Sequence, residues 1–304
     1  MPKIHPLACV DPAAERADDV SIGPFCVIGP QVRIGPGCPL HNSVTIVGDV
    51  VMGANNEFYP NVVIGTPPQD LTYNNGPSRV RIGDNNVFRT GATVNGGSNK
   101  FCNETRIGSN GMFMINSHIG HDGYVGDNCL IVNGTNLGGH NHLENNARIS
   151  GVIGSHPFIT FGRYCYVGGV SAISRDVPPF TVVTGSYPSR VRCINEVGLR
   201  RGGFSEESIN ALTRAFLRLF RSGLPKRQLI DEFEAEGNHD ENVVHLVRSL
   251  RRSVCHQHNR FLEAVYMGQI APDDKAWQGC EHPWARSLLG AQAAWKLTCE
   301  GGRT

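Results

Sequence analysis

The stretch Ile107-Gly108-Ser109-Asn110-Gly111-Met112-Phe113-Met114-Ile115-Asn116-Ser117-His118-Ile119-Gly120-His121-Asp122-Gly123-Tyr124-Val125 carries an apolar residue at every sixth position: Ile107, Phe113, Ile119 and Val125. The register continues through Ile131, Leu137, Leu143 and Ile149, and the same period appears earlier at Ile22, Ile28, Ile34, Leu40, Ile46, Met52, Phe58 and Ile64. A period of six fits neither the 3.6 of a helix nor the 2 of a strand. It suits a triangular coil in which each short side sends one side chain inward, so the chain is read as mainly β, a parallel β-helix of hexapeptide repeats. Glycine follows many of the inward residues, as in Ile22-Gly23, Ile82-Gly83 and Val125-Gly126, and Asn55-Asn56 and Asn85-Asn86 hold the next most turn-tolerant residue.

The register breaks twice. Thr66 to Pro77 and Asn95 to Glu104 read as loops ejected from the coil, and an ejected loop is where a solenoid carries binding residues or merely tolerates an insertion. Past Ile149 the phase is read as slipping, with Ile153, Ile159, Val167 and Ile173 continuing it, and the coil as ending at Asp176-Val177-Pro178-Pro179, where two backbone donors are missing. Helical patterning follows. Ser205 suits an N-cap before Ile209, Leu212, Phe216 and Leu219, Pro225 opens a second helix to about Glu236, and Asn242 to Val254 reads as a third. The expected division is 1–185 for the β-helix, 186–255 for a small α-helical domain, and 256–304 for an extension whose three tryptophans, Trp277, Trp284 and Trp295, suggest packing against an unidentified surface.

Composition narrows the function classes. A formal net charge of +1 gives no argument for nucleic acid, and no apolar run approaches the ~18 residues that span a bilayer. The ten cysteines form no Cys-x-x-Cys pair, and several lie within the repeat where a thiol packs well, which points to reduced thiols in a cytoplasmic protein. With three six-residue sides per turn, positions eighteen apart stack. His121, His140 near position 139, and His156 after the slip are then expected to climb one edge, with His118 half a repeat away. Such a column has three readings. It could bind a metal, although parallel rungs do not converge on one ion. It could hold turn hydrogen bonds. Or His121, oriented by Asp122, could be a base that takes a proton from an alcohol attacking an acyl carbon.

Taken together, the hexapeptide repeat, the Gln69-Asp70-Leu71 loop, Ile115-Asn116-Ser117-His118-Ile119-Gly120-His121-Asp122, Gly138-Gly139-His140, Asp176-Val177-Pro178-Pro179 and Asn195-Glu196-Val197-Gly198-Leu199-Arg200-Arg201 resemble a known family. It is the acyl-carrier-protein-dependent UDP-N-acetylglucosamine O-acyltransferases that begin lipid A synthesis, and the likeness covers about residues 4 to 255. The resemblance implies a left-handed coil, a homotrimer with active sites between subunits, and no cofactor or metal. It implies transfer of a 3-hydroxyacyl chain from acyl carrier protein to the sugar 3-hydroxyl of UDP-N-acetylglucosamine. His121 would be the general base, Asp122 its orienting carboxylate, and the Gly139 amide the oxyanion donor. Gln69 and Asp70 would bind substrate, Asp70 at the glucosamine. His118 and His140 would line the pocket, His156 would stand where nucleotide and glucosamine meet, Asn195 and Arg201 would bind the nucleotide end, and Gly169 would gauge acyl length. A basic stretch from Arg190 to Arg227 would suit an acidic carrier protein.

The chain departs from the family at three points. Thr72 replaces a lysine of the loop, Asn95-Gly96-Gly97 replaces His-Arg-Gly, and Pro157 replaces a glutamine. These keep two alternatives in view: another nucleotide-sugar O- or N-acyltransferase of the hexapeptide class, and a catalytically weakened trimeric homologue.

Overall fold

The computed structural model describes residues 3–99, 103–254 and 258–270, and the three tryptophans lie outside them. In the described residues the hexapeptide pattern folds into a triangular prism of short strands in three sheets of nine, eight and ten strands, parallel except for the last strand, and neighbours within each sheet are three strands apart in the chain except at the end of the ten-stranded one. The inward positions build one apolar column per side. Phe58, Phe88 and Phe113 stack with centroids 5.0 and 4.6 Å apart, and Ile131 and Ile149 continue the file fully buried. Many corners bend through one residue in the left-handed region. Asparagine takes that slot at Asn55, Asn61, Asn85, Asn110, Asn116, Asn128 and Asn146, all with positive φ.

Register locates the insertions. Val27 pairs with Thr45 and Thr45 with Val63, steps of eighteen, but Val63 pairs with Thr93 and Thr93 with His118, steps of thirty and twenty-five. Both loops therefore add residues at one corner, between the sheet of the strand Val63–Thr66 and that of the strand Arg79–Ile82. They occupy the two rungs immediately before His121.

Two readings of the repeat are corrected. There is no phase slip, since Asn136 pairs with Gly154 and Ser155 with Ile173 in unbroken steps of eighteen. Ser155 stands at an inward position where an apolar residue was expected. It is tolerated because its Oγ accepts from Gly138 N at 3.1 Å and from the Asn141 side-chain amide. Nor does the coil end at the two prolines. Phe180 turns the corner with φ 64, and the strand Thr181–Thr184 then pairs in parallel with Tyr166–Val167 before Arg190–Ile194 returns antiparallel.

Three helices follow the sequence pattern, α2 Glu206–Arg221, α3 Lys226–Glu236 and α4 Glu241–Val254, and two short ones that it did not show flank them, α1 Glu196–Arg201 and α5 Phe261–Tyr266. Ser205 caps α2 by accepting from Ser208 N. Leu212, Phe216, Ile230, Leu246 and their neighbours form a second core beside Phe180. Two members of the basic stretch are paired with carboxylates of the same domain, Arg200 to Glu196 and Glu206 and Arg218 to Glu232 and Glu236. A buried carboxylate ties the helices to the prism. Glu144 meets His245 of α4 at 3.2 Å, Arg252 at 3.8 Å and the Arg163 amide at 2.8 Å. Burial pushes its carboxyl up, but the hydrogen bond and charge of His245, with His142 and Arg252, outweigh that and bring it down to about 2.

Candidate active site

The corner between His118–Ile119 and Tyr124–Val125 carries His121 and Asp122. Asp122 takes the left-handed slot with φ 55, which carries its side chain beneath the corner, where it is fully buried. His121 Nδ1 lies 2.8 Å from Asp122 Oδ2. The second ejected loop completes this pair, because the Ser98 amide donates to both oxygens of Asp122 at 3.0 and 2.9 Å. A carboxylate so held accepts from Nδ1–H and leaves the lone pair on Nε2 of His121, whose side chain is 14% exposed. Ser98 is a functional position that the sequence pattern did not reveal, since it acts through its main chain.

One rung on, Gly139 lies under the His121 ring. A Cβ on Gly139 would stand 2.5 Å from His121 Nε2. Among the described residues the Gly139 N–H makes no hydrogen bond, while its neighbours are fixed, Gly138 N by Ser155 Oγ and His140 N by the His121 carbonyl at 2.8 Å. Ser155 and Asn141, the latter also accepting from Ile159 N at 2.8 Å, therefore hold the Gly138-Gly139 turn from beneath. His118 Nδ1 is 2.8 Å from Thr93 Oγ1, and burial, then the nearby His121, lowers its pKa, favouring the neutral ring.

His140 is buried with its ring edge-on to that of His121, centroids 5.0 Å apart. The histidine column is thus rearranged from the one expected. His121 stacks on Gly139, His140 stacks on Phe158, and the exposed His156 lies in register with Gly138, because Ser155 keeps the phase that a slip would have moved. His121, Asp122 and His140 bring one ligand atom each within 4.8 Å of one another, a spacing that could hold a metal ion. The donor set fits a metal poorly, since the Asp122 oxygen nearest both rings is already bonded to His121 Nδ1 and lies 3.8 Å from His140 Nε2.

A cavity of about 480 Å³ opens over this corner, lined by Gln69, Asn95, His118, His121, Gly138, Gly139, Ser155 and Pro157. Asp70 is half-buried in the first loop, its Oδ1 accepting from the Thr72 amide and hydroxyl at 2.9 and 2.5 Å. Asn95, where the family has histidine, anchors that loop, its amide donating to Thr66 Oγ1 and the Pro67 carbonyl.

The other candidates lie on other edges of the prism. Arg201 and Asn195 line a second cavity of about 560 Å³ with Arg148, Tyr164, Tyr166 and Val197. Asn195 is the N-cap of α1, its Oδ1 accepting from Gly198 N at 3.1 Å and its amide donating to the Tyr164 carbonyl at 2.9 Å. Gly169 sits exposed on the third edge beside Val152 and Val170. It does not relax the corner, because Val170 takes the left-handed slot with φ 56.

Comparison with known proteins bears on what this corner does. A family model described as UDP-N-acetylglucosamine O-acyltransferase, domain 2, matches residues 176–256. An acyl-[acyl-carrier-protein]–UDP-N-acetylglucosamine O-acyltransferase of Syntrophobacter fumaroxidans is 42% identical over 77% of this chain and 91% of its own length. Its namesake from Saccharophagus degradans is 39% identical over 82% of this chain and 96% of its own. The solved UDP-N-acetylglucosamine acyltransferase of Francisella novicida superposes with a TM-score of 0.79 at 36% identity, covering 82% of this chain and 91% of that one.

Proposed function

This chain belongs to the acyl-[acyl-carrier-protein]–UDP-N-acetylglucosamine O-acyltransferase family, and from that premise we propose that it moves a 3-hydroxyacyl chain from acyl carrier protein to the 3-hydroxyl of UDP-N-acetylglucosamine, the opening step of lipid A assembly. His121 Nε2 takes the proton of the sugar hydroxyl as its oxygen attacks the thioester carbon. Asp122 holds the ring through Nδ1 and stabilises the imidazolium that forms. The carbonyl oxygen becomes an oxyanion held by the Gly139 N–H. Collapse of the tetrahedral intermediate breaks the carbon–sulfur bond, and the carrier thiolate recovers the proton from His121, so the base ends as it began.

The observation that carries this reading is the 2.8 Å pairing of His121 with a fully buried Asp122 directly over the unengaged Gly139 amide. His118 and His140 border the reacting groups, Gln69 and Asp70 bind substrate with Asp70 at the glucosamine, and His156 stands where nucleotide and glucosamine meet.

The active unit is a homotrimer. What supports this is that Arg201 and Asn195, assigned to the nucleotide, and Gly169, assigned to the acyl end, stand on different edges of the prism from His121. One substrate can touch all three edges only if copies of the chain lie side by side around a three-fold axis. No helix of the described residues is long and apolar enough to cross a membrane, and a carrier-protein donor suits work in the cytoplasm.

Purified protein should transfer acyl chains from acyl carrier protein to UDP-N-acetylglucosamine, and His121→Ala should lower the rate by about 10²–10⁴-fold with the trimer intact. Transfer by His121→Ala at more than about a tenth of the wild-type rate, on the same scale of effects, overturns the base assignment. A preference for another nucleotide sugar or for coenzyme A donors would favour the alternative acyltransferase, and inactivity of the wild-type protein the weakened homologue.

A further inference from the structure

Four corner residues follow one another in steps of eighteen along the catalytic edge: Asp122, His140, Phe158 and Asp176. The last of them is the anchor of a segment that lies beyond the family match, which ends at residue 256. Asp176 N donates to the Asn259 carbonyl at 2.9 Å, its Oδ2 accepts from Phe261 N at 3.0 Å, and its Oδ1 accepts from Thr160 N at 2.8 Å. Arg260 adds a bond to the Ser174 carbonyl at 3.2 Å. So fastened, α5 packs Phe261, Leu262, Ala264 and Val265 against Tyr124 and Phe158.

The contact leads inward ring by ring. Tyr266 at the end of α5 lies 5.0 Å from Phe158 and 5.8 Å from His140 between centroids. Phe158 stacks on His140 at 4.3 Å, nearly parallel, and His140 meets His121 edge-on at 5.0 Å. His140 follows Gly139 directly, so whatever fixes the His140 ring restrains the residue next to the one whose N–H is the oxyanion donor. Without α5, Phe158 would lose the Tyr266 ring and the apolar residues packed against it, and a ring with water on one side is free to change rotamer.

We propose that the segment from His258 to Ile270 is a working part of the catalytic centre: Tyr266, acting through Phe158, is a positioning residue that holds His140 and thereby the Gly139 amide and the His121 ring in reacting geometry. This rests on the assignment of His121 as the base. It goes beyond that assignment in giving a catalytic duty to a part of the chain outside the family match.

The test measures kcat and KM separately on full-length protein, with acyl carrier protein thioester and UDP-N-acetylglucosamine as probes. Tyr266→Ala should lower kcat by about 10- to 100-fold, since a misplacement of about 1 Å costs on the order of 10²-fold, with KM for the nucleotide sugar nearly unchanged. Tyr266→Phe keeps the ring and should restore the rate. Val265→Asp, which undocks α5 by charging a buried position, should match Tyr266→Ala, and because α5 is peripheral to the prism the trimer should survive it. Wild-type kcat in both Tyr266→Ala and Val265→Asp, with His121→Ala inactive, overturns the inference and spares the base. A loss carried wholly by KM also overturns it, by making α5 a binding surface. Activity retained in His121→Ala removes the reading on which both rest.

Discussion

Alanine at position 139 is the most economical test of the active-site geometry. The new Cβ would lie 2.5 Å from His121 Nε2 and 2.6 Å from Cε1, roughly 1 Å inside ordinary contact, so the imidazole must move by about that much. It cannot do so and keep its partner, because Asp122 is fixed from the other side by the Ser98 amide at 3.0 and 2.9 Å. A displacement of about 1 Å costs on the order of 10²-fold in rate, or about 2.7 kcal/mol in the barrier. Gly139 is not among the glycines with positive φ, so alanine meets no backbone strain, and the melting temperature should move by no more than about 2 °C. Steady-state kinetics and thermal melts on Gly139→Ala, His121→Ala and the double variant decide the matter. Once the imidazole is gone, alanine at 139 should cost almost nothing more. A Gly139→Ala enzyme above half the wild-type rate, or one whose loss adds fully to that of His121→Ala, would refute the contact as the cause.

Two further outcomes follow from the structure. Gly169 has room for a side chain, its nearest would-be neighbours being the Gly151 carbonyl at 3.4 Å and Ser150 Oγ at 3.7 Å, so Gly169→Met should fold and shift preference toward shorter acyl donors, each excluded methylene being worth about 0.8 kcal/mol, roughly fourfold. An unchanged order of rates over ten- to sixteen-carbon donors removes Gly169 as the gauge. Glu144, held down to about 2 from an ordinary value of 4.5, contributes stability that is present in full above about pH 4.5 and lost as pH falls toward 2. Glu144→Gln should therefore lower stability by about 1–3 kcal/mol at pH 7, and the gap to wild type should close on acidification, as urea midpoints across that range would show.

The period of six made the prism legible because inward positions are filled by packing, which selects apolar residues regularly. Ser155 escaped for the same reason, since one polar residue in an apolar file looks like a change of phase when it is a hydrogen-bonding plug beneath the active-site turn. The contact of His121 with Asp122 could be anticipated from their being neighbours, but the amide that holds Asp122 could not, because Ser98 contributes a main-chain N–H that any residue carries. Asn195 was read as a ligand of the nucleotide, and its side chain has a further duty in capping α1 and bonding the Tyr164 carbonyl, visible only once the six-residue helix is known. The part played by α5 was hidden because its contacts span more than a hundred residues of sequence, from Tyr266 to His140.

The left-handed corner slot gives this enzyme an internal conflict of interest. At many other corners asparagine occupies the slot, the non-glycine residue that accepts that conformation with least resistance, although Val152, Tyr164, Val170 and Phe180 also stand in it. On the catalytic edge the slot is given to Asp122, His140 and Phe158 at φ 55, 60 and 65, side chains chosen for what they touch and at odds with the backbone that bears them. Each costs on the order of 1 kcal/mol, and three in succession concentrate that cost on consecutive rungs. Selection for thermal robustness alone would drift these positions toward asparagine and glycine, erasing the active site as it did so.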